Sequence, residues 1–447
     1  MTRIRAALLG VFLVPTLLWL AADATILSTT QFMPLRNALV QYTGVLAISA
    51  MSVAMLLAMR PASLETPLGG LDKMYRLHKW LGVAGLGAAI AHWLAAQGPK
   101  WAVSYGLMRR GARPPAPPID NALVQALADM RGLAEGLGEK AFYLAAILIA
   151  LALVRSIPYR FVFRTHVALA AVYLVLVFHS VVLMKTGYWT TPLGVTLAAL
   201  MLSGSVAALL SLTRRIGADR KVEGRITRLR HWPALKSLEF EIDVPKGWPG
   251  HSAGQFAFVT VDRREGAHPF TIASDWRQGD TSLLFIAKAL GDHTARLAEQ
   301  AKVGQTVTVE GPYGRFTFDD PSPRQIWVGG GIGVTPFIAR MKVLARRRAA
   351  GETPKVDFFH TTADLDERAI ALLQRDADAA GVRLHVLHDA RDGLLDGERI
   401  RRLAPEWARA SLWFCGPTKF GAALRKDFAR RGLDVSRRFH QELFAMR

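Results

Sequence analysis

Four histidines stand inside long apolar stretches of the chain and fall as two pairs: His78 and His92 in one stretch, His166 and His179 in another. An ionisable ring in hydrocarbon is costly and needs a reason to be there. A single such histidine is as readily explained by a hydrogen bond to a neighbouring helix as by a ligand role. Two pairs with near-equal spacing are harder to explain that way. The separations, 92 − 78 = 14 and 179 − 166 = 13 residues, correspond to roughly 21 and 20 Å at about 1.5 Å per residue. Neutral imidazole is a common axial ligand of heme iron. One ligand from each stretch at matching depth makes two stacked sites, His78 with His166 and His92 with His179. A 14-residue step returns to nearly the same helix face, whereas a 13-residue step lands about 220° around an ideal helix. The second stretch must therefore be tilted or distorted, or the two sites offset laterally.

A second group of residues suits nucleotide chemistry. Val328-Gly329-Gly330-Gly331-Ile332-Gly333-Val334-Thr335-Pro336 lies between a strand-length apolar run and a helical one. Glycines there admit phosphates close to backbone N–H groups at a helix start. The loop is not G-x-G-x-x-G, because Val334 occupies the third glycine position counted from Gly329. Cys415-Gly416-Pro417 follows a later strand-length run. Upstream, Ala267-His268-Pro269-Phe270-Thr271-Ile272-Ala273-Ser274 sets a polar donor, an aromatic face and a hydroxyl within four residues, though Phe270 taken alone reads as core. Lys288-Ala289-Leu290-Gly291-Asp292-His293-Thr294 is a small-residue turn entering a helix, a ready anion site. Glu310-Gly311-Pro312-Tyr313-Gly314 taken alone is an ordinary Gly-Pro turn.

These residues need elements to position them, and 447 residues allow two or three domains. Six apolar segments, about 6–24, 38–59, 74–97, 139–155, 161–184 and 192–212, approach the roughly 20 residues that cross a bilayer. Residues 1–24 also resemble a signal peptide with Ala22-Asp23-Ala24 as its cleavage site; an uncleaved first helix is the preferred reading. Basic residues cluster between the second and third segments (Arg60, Lys73, Arg76, Lys79), between the fourth and fifth (Arg155, Arg160, Arg164) and after the sixth (Arg214, Arg215, Arg220, Lys221). The positive-inside rule places those connections, and both termini, in the cytoplasm. The connection 98–138 must then lie outside despite Lys100, Arg109, Arg110 and Arg113; its Arg113-Pro-Pro-Ala-Pro-Pro118 run reads as extended polyproline. Arg36, near the outer end of the second segment, reads as an interfacial anchor, or else as an attractor of an anionic acceptor.

From Val222 to Asp320, short β-like runs (Leu238–Val244, Gln255–Val261, Ser282–Ala287, Thr306–Glu310) alternate with Gly and Pro turns, which predicts a small antiparallel barrel. Beyond Arg324, the runs Gln325–Val328, Lys355–His360, Arg383–His388 and Ser411–Cys415 alternate with helical stretches, the pattern of a parallel doubly wound α/β sheet. The net charge of +20 comes without a basic patch interleaved with aromatics, so no nucleic-acid partner is expected. The single cysteine, Cys415, rules out an intrachain disulfide and a CxxC metal site.

The spacing of the histidines, the six segments and the motifs that follow resemble the ferric reductase and NADPH oxidase superfamily, over almost the whole chain. The resemblance implies three parts: an all-α six-helix bis-heme membrane domain at 1–215, an FAD-binding β-barrel at 216–321 and an NAD(P)-binding α/β domain at 322–447. It implies two b-type hemes on the paired histidines. Phe270 would lie against the isoalloxazine, Thr271 at the flavin N5 edge and His268 by the ribose or pyrophosphate, with Pro269 and Ser274 in the same loop. Gly291 and Thr294, in the stretch that begins at Lys288, would take the FAD pyrophosphate. Gly311, Tyr313 and Gly314 would form the turn between flavin and nucleotide halves. The glycine loop would bind NADPH or NADH, with Cys415, Gly416 and Pro417 near the nicotinamide. Glu442-Leu443-Phe444 resembles the closing Glu-x-Phe of the oxidases, so Phe444 is either a ring over the flavin or a core residue. Relatives often carry an arginine where this chain has Ala363, Asp364 and Asp366, which tilts the expectation from NADPH toward NADH or dual use.

The expected function is electron transfer from cytoplasmic NAD(P)H through FAD and two hemes across the inner membrane. Oxygen, a ferric chelate or a periplasmic redox protein would be the acceptor, with membrane lipid as the surrounding partner. The rival readings are a heme-binding membrane sensor or carrier, and a flavin reductase merely tethered to the membrane.

Overall fold

A computed structural model describes residues 2–109, 121–154, 156–157, 159–244, 247–263, 265–348 and 354–442. The polyproline run and Phe444 fall outside the described residues. Two compact units part between Ile216 and Gly217.

The first unit is helical. Among the described residues six helices are long and apolar enough to cross a membrane: Arg3–Ala22, Phe32–Ala58, Leu71–Ser104, Arg131–Leu153, Phe161–Leu183 and Pro192–Leu212. The third runs past the expected stop at 97, through Gly98 and Pro99. Proline lacks the N–H that Ala95 O would otherwise accept. Arg36 supplies it, donating from Nε to Ala95 O at 2.9 Å and from Nη2 to Ala96 O at 2.8 Å. The guanidinium is thus occupied in joining the second span to the third. The fourth span starts two turns earlier than hydropathy suggested. Its polar residues find partners: Arg131 pairs with Glu135 one turn on, and Glu139 accepts from Tyr143 OH and Gln97 Nε2.

The first span is packed into the bundle core. Trp19 is buried beside Tyr173, Leu193 and Leu197, and its Nε1 donates to Tyr188 OH at 3.1 Å. Tyr188 in turn donates to Asp23, which also holds Lys185 at 2.6 Å. Gly204 leaves room for the Tyr173 ring, whose hydroxyl meets Ser52 Oγ at 2.8 Å. Small residues that let helices and large rings approach are the usual packing device where water offers no driving force.

The second unit holds two sheets. In the antiparallel one, β1 (Lys221–Trp232), β2 (Ser237–Asp243), β3 (Phe256–Thr260), β4 (His268–Thr271), β5 (Ser282–Lys288) and β6 (Thr306–Tyr313) run in the order β4-β3-β6-β1-β2-β5. The expected barrel is incompletely closed: the outer strands meet through a single bridge, Ile272 to Phe285. Alternate residues of β2 and β5, including Phe240, Ile242, Leu283 and Phe285, fill the core. In the other sheet, β7 (Arg324–Gly330), β8 (Lys355–Thr362), β9 (Arg383–His388), β10 (Ser411–Cys415) and β11 (Phe439–Gln441) are parallel, in the order β11-β10-β7-β8-β9. Strands β7 and β10 are buried end to end, as expected where helices cover both faces. The order reverses between β7 and β10, and in such sheets the crevice at the strands' carboxyl ends is where ligands bind.

Candidate functional site

In the helical unit the four histidines meet as paired. The ring centres of His78 and His166 are 5.9 Å apart, and those of His92 and His179 are 6.1 Å apart. A metal–imidazole bond is about 2 Å, and the ring centre lies about 1 Å behind the nitrogen. Two rings on opposite faces of one iron therefore have centres about 6 Å apart. The residues fit axial ligation in both layers. Among the described residues the fourth and fifth spans approach closely. One turn beyond His78, a Cβ added at Gly82 would meet nothing within 4 Å.

Neighbouring helices set the ring tautomers. Nδ1 lies 2.9 Å from Ala54 O for His78, 2.8 Å from Val40 O for His92 and 2.9 Å from Ala134 O for His179. A carbonyl only accepts, so each Nδ1 carries the proton and donates it. Nε2 then keeps its lone pair for a metal. His166 Nδ1 is buried without a partner among the described residues.

Two glycines make this arrangement possible, and neither was singled out from the sequence. A Cβ at Gly138 would overlap the His179 ring, and one at Gly44 would stand 3.2 Å from His92 Nδ1. Their signal was available only as small residues on helices adjacent to the histidine-bearing ones.

A distortion lies inside the 13-residue step. The fifth span consists of Tyr159–His166 and Ala168–Leu183, separated at Val167. Ala170 N donates to Val167 O, three residues back instead of four. This tight turn immediately after His166 alters the angular phase between His166 and His179.

In the second unit the predicted nucleotide residues come together at the switch point. Gly331 adopts a φ of +56° and opens a short 3₁₀ turn leading into the helix Thr335–Arg348. Thr335 Oγ1 donates to Ile332 O at 2.8 Å. A Cβ at Gly333 would overlap Cys415 O, and one at Gly330 would lie 2.9 Å from Pro417 Cδ. Gly329 is similarly tight, with Gly333 O and Phe358 at 3.2 Å from its would-be Cβ. Glycine is thus required for the loop after β7 to lie on the loop Cys415-Gly416-Pro417 after β10. Thr335 N donates to Ile332 O and Pro336 has no N–H, so the donors suited to a phosphate here are those of the glycine loop itself.

The Cys415 thiol is fully buried in an apolar cluster, and burial, with Glu442 nearby, pushes it well above its ordinary range. It is a protonated core group, and its residue meets the glycine loop through its backbone. Phe270, which taken alone reads as core, packs in the core of the antiparallel sheet, edge-on to Phe240 at 5.7 Å. Strand alternation puts Pro269 and Thr271 on the opposite side of β4 from Phe270. Thr294 turns its hydroxyl back to accept from Leu290 N and Gly291 N, at 3.0 and 3.2 Å. Ser274 Oγ accepts from Leu284 N at 3.2 Å. Gly311 and Gly314 both have positive φ, 155° and 102°, and Tyr313 OH donates to Glu310 at 2.8 Å. Lys288 Nζ pairs with Asp364 at 2.6 Å.

Two further contacts link the flavin-motif strand to the helix after the glycine loop. Lys342 Nζ donates to Ala273 O at 3.1 Å, and Arg346 pairs with Asp275. Neither was anticipated, because contacts between residues about 70 apart leave no local pattern.

Comparison with known proteins adds the following. A ferric reductase like transmembrane component model matches residues 43–177, and an FAD-binding domain model matches residues 234–317. The chain is 28% identical over 247 residues to an NADPH oxidoreductase of Mycobacterium tuberculosis, covering 53% of this chain and 63% of that one. It is 27% identical over 180 residues to NADH-cytochrome b5 reductase 1 of Pyricularia oryzae, covering 37% of this chain and 57% of that one. It therefore spans less than two thirds of either relative. Among solved structures, a cytochrome P450 reductase of Amycolatopsis aligns with a TM-score of 0.43 at 21% identity, over 50% of this chain and 70% of that one.

Proposed function

The chain is a fusion of the ferric reductase/NADPH oxidase type, a membrane oxidoreductase with an FAD-binding module, and from that premise we propose that it carries electrons from cytoplasmic NAD(P)H across the inner membrane through FAD and two b-type hemes. The observation that carries the proposal is the pair of facing histidine couples, with ring centres 5.9 and 6.1 Å apart in two layers.

His78 and His166 would hold the inner heme, and His92 and His179 the outer one. The carbonyls of Ala54, Val40 and Ala134 keep three of the four rings in the tautomer that binds iron. Backbone N–H groups of the glycine loop would take the nucleotide pyrophosphate. When bound, FAD supplies hydride acceptance and one-electron release, and the hemes supply single-electron relay. The protein contributes the binding, orientation and tautomers described above. Basic connections on one side of the spans support a cytoplasmic reductase half.

Oxygen or a ferric chelate at the outer side is the acceptor this reading favours, and a periplasmic redox protein is the alternative. Arg36 is committed to Ala95 and Ala96, so it does not support an anion-attracting role. The test is purified protein supplied with NADH or NADPH and offered oxygen or ferric chelate in turn. Turnover with at least one acceptor, lost in His92→Leu while the flavin is still reduced, is the expected result. Full turnover in that variant would point to a tethered flavin reductase. Heme without any nicotinamide-driven turnover would point to the sensor or carrier.

A further inference from the structure

Two chains of hydrogen bonds in the helical unit share one order: a tryptophan N–H, a tyrosine hydroxyl, a carboxylate. In the first, Trp19 Nε1 donates to Tyr188 OH at 3.1 Å, and Tyr188 OH donates to Asp23 Oδ2 at 2.5 Å. In the second, Trp93 Nε1 donates to Tyr143 OH at 3.2 Å, and Tyr143 OH donates to Glu139 Oε1 at 2.8 Å. An apolar surrounding explains why each ring finds a partner. It does not explain why the last partner is a carboxylate, which is costly there. Tyr173, buried in the same bundle, bonds the neutral Ser52 Oγ and Met201 O instead. Both chains lie against the outer histidine couple. Trp93 follows His92, and Glu139 follows Gly138, whose would-be Cβ falls in the His179 ring. The Trp19 ring centre stands 4.8 Å from that of Tyr42, and Thr43 Oγ1, next along, lies 3.4 Å from His92 Nδ1. At the far end Asp23 also holds Lys185, which keeps 47% of its side-chain surface exposed.

Tryptophan and tyrosine give up a single electron more readily than other aromatic side chains. A tyrosine does so more easily still when a carboxylate takes its hydroxyl proton in the same step. We propose that the two chains are relays that drain oxidising equivalents from the outer heme site, ending as neutral radicals on Tyr188 and Tyr143. The proposal rests on the reading in which the outer couple holds heme and oxygen is the acceptor, because superoxide dismutates to hydrogen peroxide, the oxidant here. Reducing peroxide to two waters takes two electrons and two protons. Each tyrosine supplies one electron while its own proton passes to Asp23 or Glu139, and solvent supplies the two protons that the waters need. Trp19 and Tyr42 pass the electron inward from Tyr188, and Trp93 passes it from Tyr143. A soluble one-electron reductant, a thiol or ascorbate, then refills each radical, and the carboxylate returns the proton. Oxidation is thereby moved away from the ligating imidazoles to residues that can be restored.

The experiment adds hydrogen peroxide to the full-length, heme-loaded protein without nucleotide. Freeze-quenched electron paramagnetic resonance reads the radical, and a pyridine hemochrome assay reads the heme that survives. The unaltered protein should show a tyrosyl radical. Tyr188→Phe should remove part of the signal; Tyr188→Phe with Tyr143→Phe should abolish it and bleach heme severalfold faster. Trp19→Phe should lose the Tyr188 part although Tyr188 is still present. Asp23→Asn should lower that part, and Asp23→Glu should restore it, which a merely structural role for the tyrosine would not produce. Signals are expressed per heme counted before peroxide is added, so a variant that loads less heme is still read. An undiminished radical in the double variant, or none in unaltered protein that holds both hemes, would overturn the relays and leave the electron route across the membrane standing. Unaltered protein without heme would overturn both.

Discussion

At Gly138 a methyl group decides whether His179 can stand where it does. Alanine favours a helix over glycine by about 1 kcal/mol, so Gly138→Ala improves the fourth span as an isolated helix. It also places a Cβ into the His179 ring. The expected outcome is one heme per chain instead of two, with flavin content unchanged, measured by a pyridine hemochrome assay against flavin released on denaturation. Gly136→Ala is the control, because its Cβ meets nothing within 4 Å, and it should keep both hemes. His360 offers a second test. Burial, reinforced by Lys288, pushes it down to about 4, while its Nδ1 bonds Gly329 O. The unfolded ring takes its proton first as pH falls, so the contribution of the neutral ring is present above about 6.5 and is lost between about 6.5 and 4, on the order of 3 kcal/mol in all. Thermal melting between pH 7.5 and 4.5 should fall less steeply in His360→Asn; equal slopes would remove His360 from the acid response.

At the scale of elements, Arg36 and Pro99 are read as one device. Arg36→Gln leaves carbonyls short of donors and should cost about 1–3 kcal/mol, read as a lower melting temperature with acceptor kinetics unchanged. Adding Pro99→Ala restores the N–H that Ala95 O lacks, so the second substitution should recover part of the loss. If the two losses simply add, the coupling is wrong. The same pair shows what hydropathy misses. Gly98-Pro99 looks like a helix stop, and only a side chain from 59 residues away makes it otherwise. The break at Val167 is the converse case: the 13-residue spacing of His166 and His179 left tilt, distortion and lateral offset open, and a distortion lies at Val167. Strand β1 escaped notice because its arginines face outward and pair across to β2, Arg228 with Glu241 and Arg230 with Glu239, which hides the alternation. The histidine couples and the meeting of the glycine loop with Cys415-Gly416-Pro417 were legible because each is a local motif placed by its own element. The Lys288–Asp364 pair was not, since it joins β5 of one sheet to the loop after β8 of the other.

For the whole molecule, the account joins a six-span helical unit that presents two histidine couples to an FAD-binding and nucleotide-binding unit of two sheets. Its central claim is that nicotinamide electrons reach two hemes in the same chain. The most direct test is anaerobic titration of the purified full-length protein with NADH or NADPH, with heme content measured on the same sample. The account predicts two low-spin b-type hemes per chain, with the flavin bleached first and both hemes then reduced by the nucleotide alone. A stoichiometry of one or none, or hemes that stay oxidised while the flavin is reduced, would contradict it.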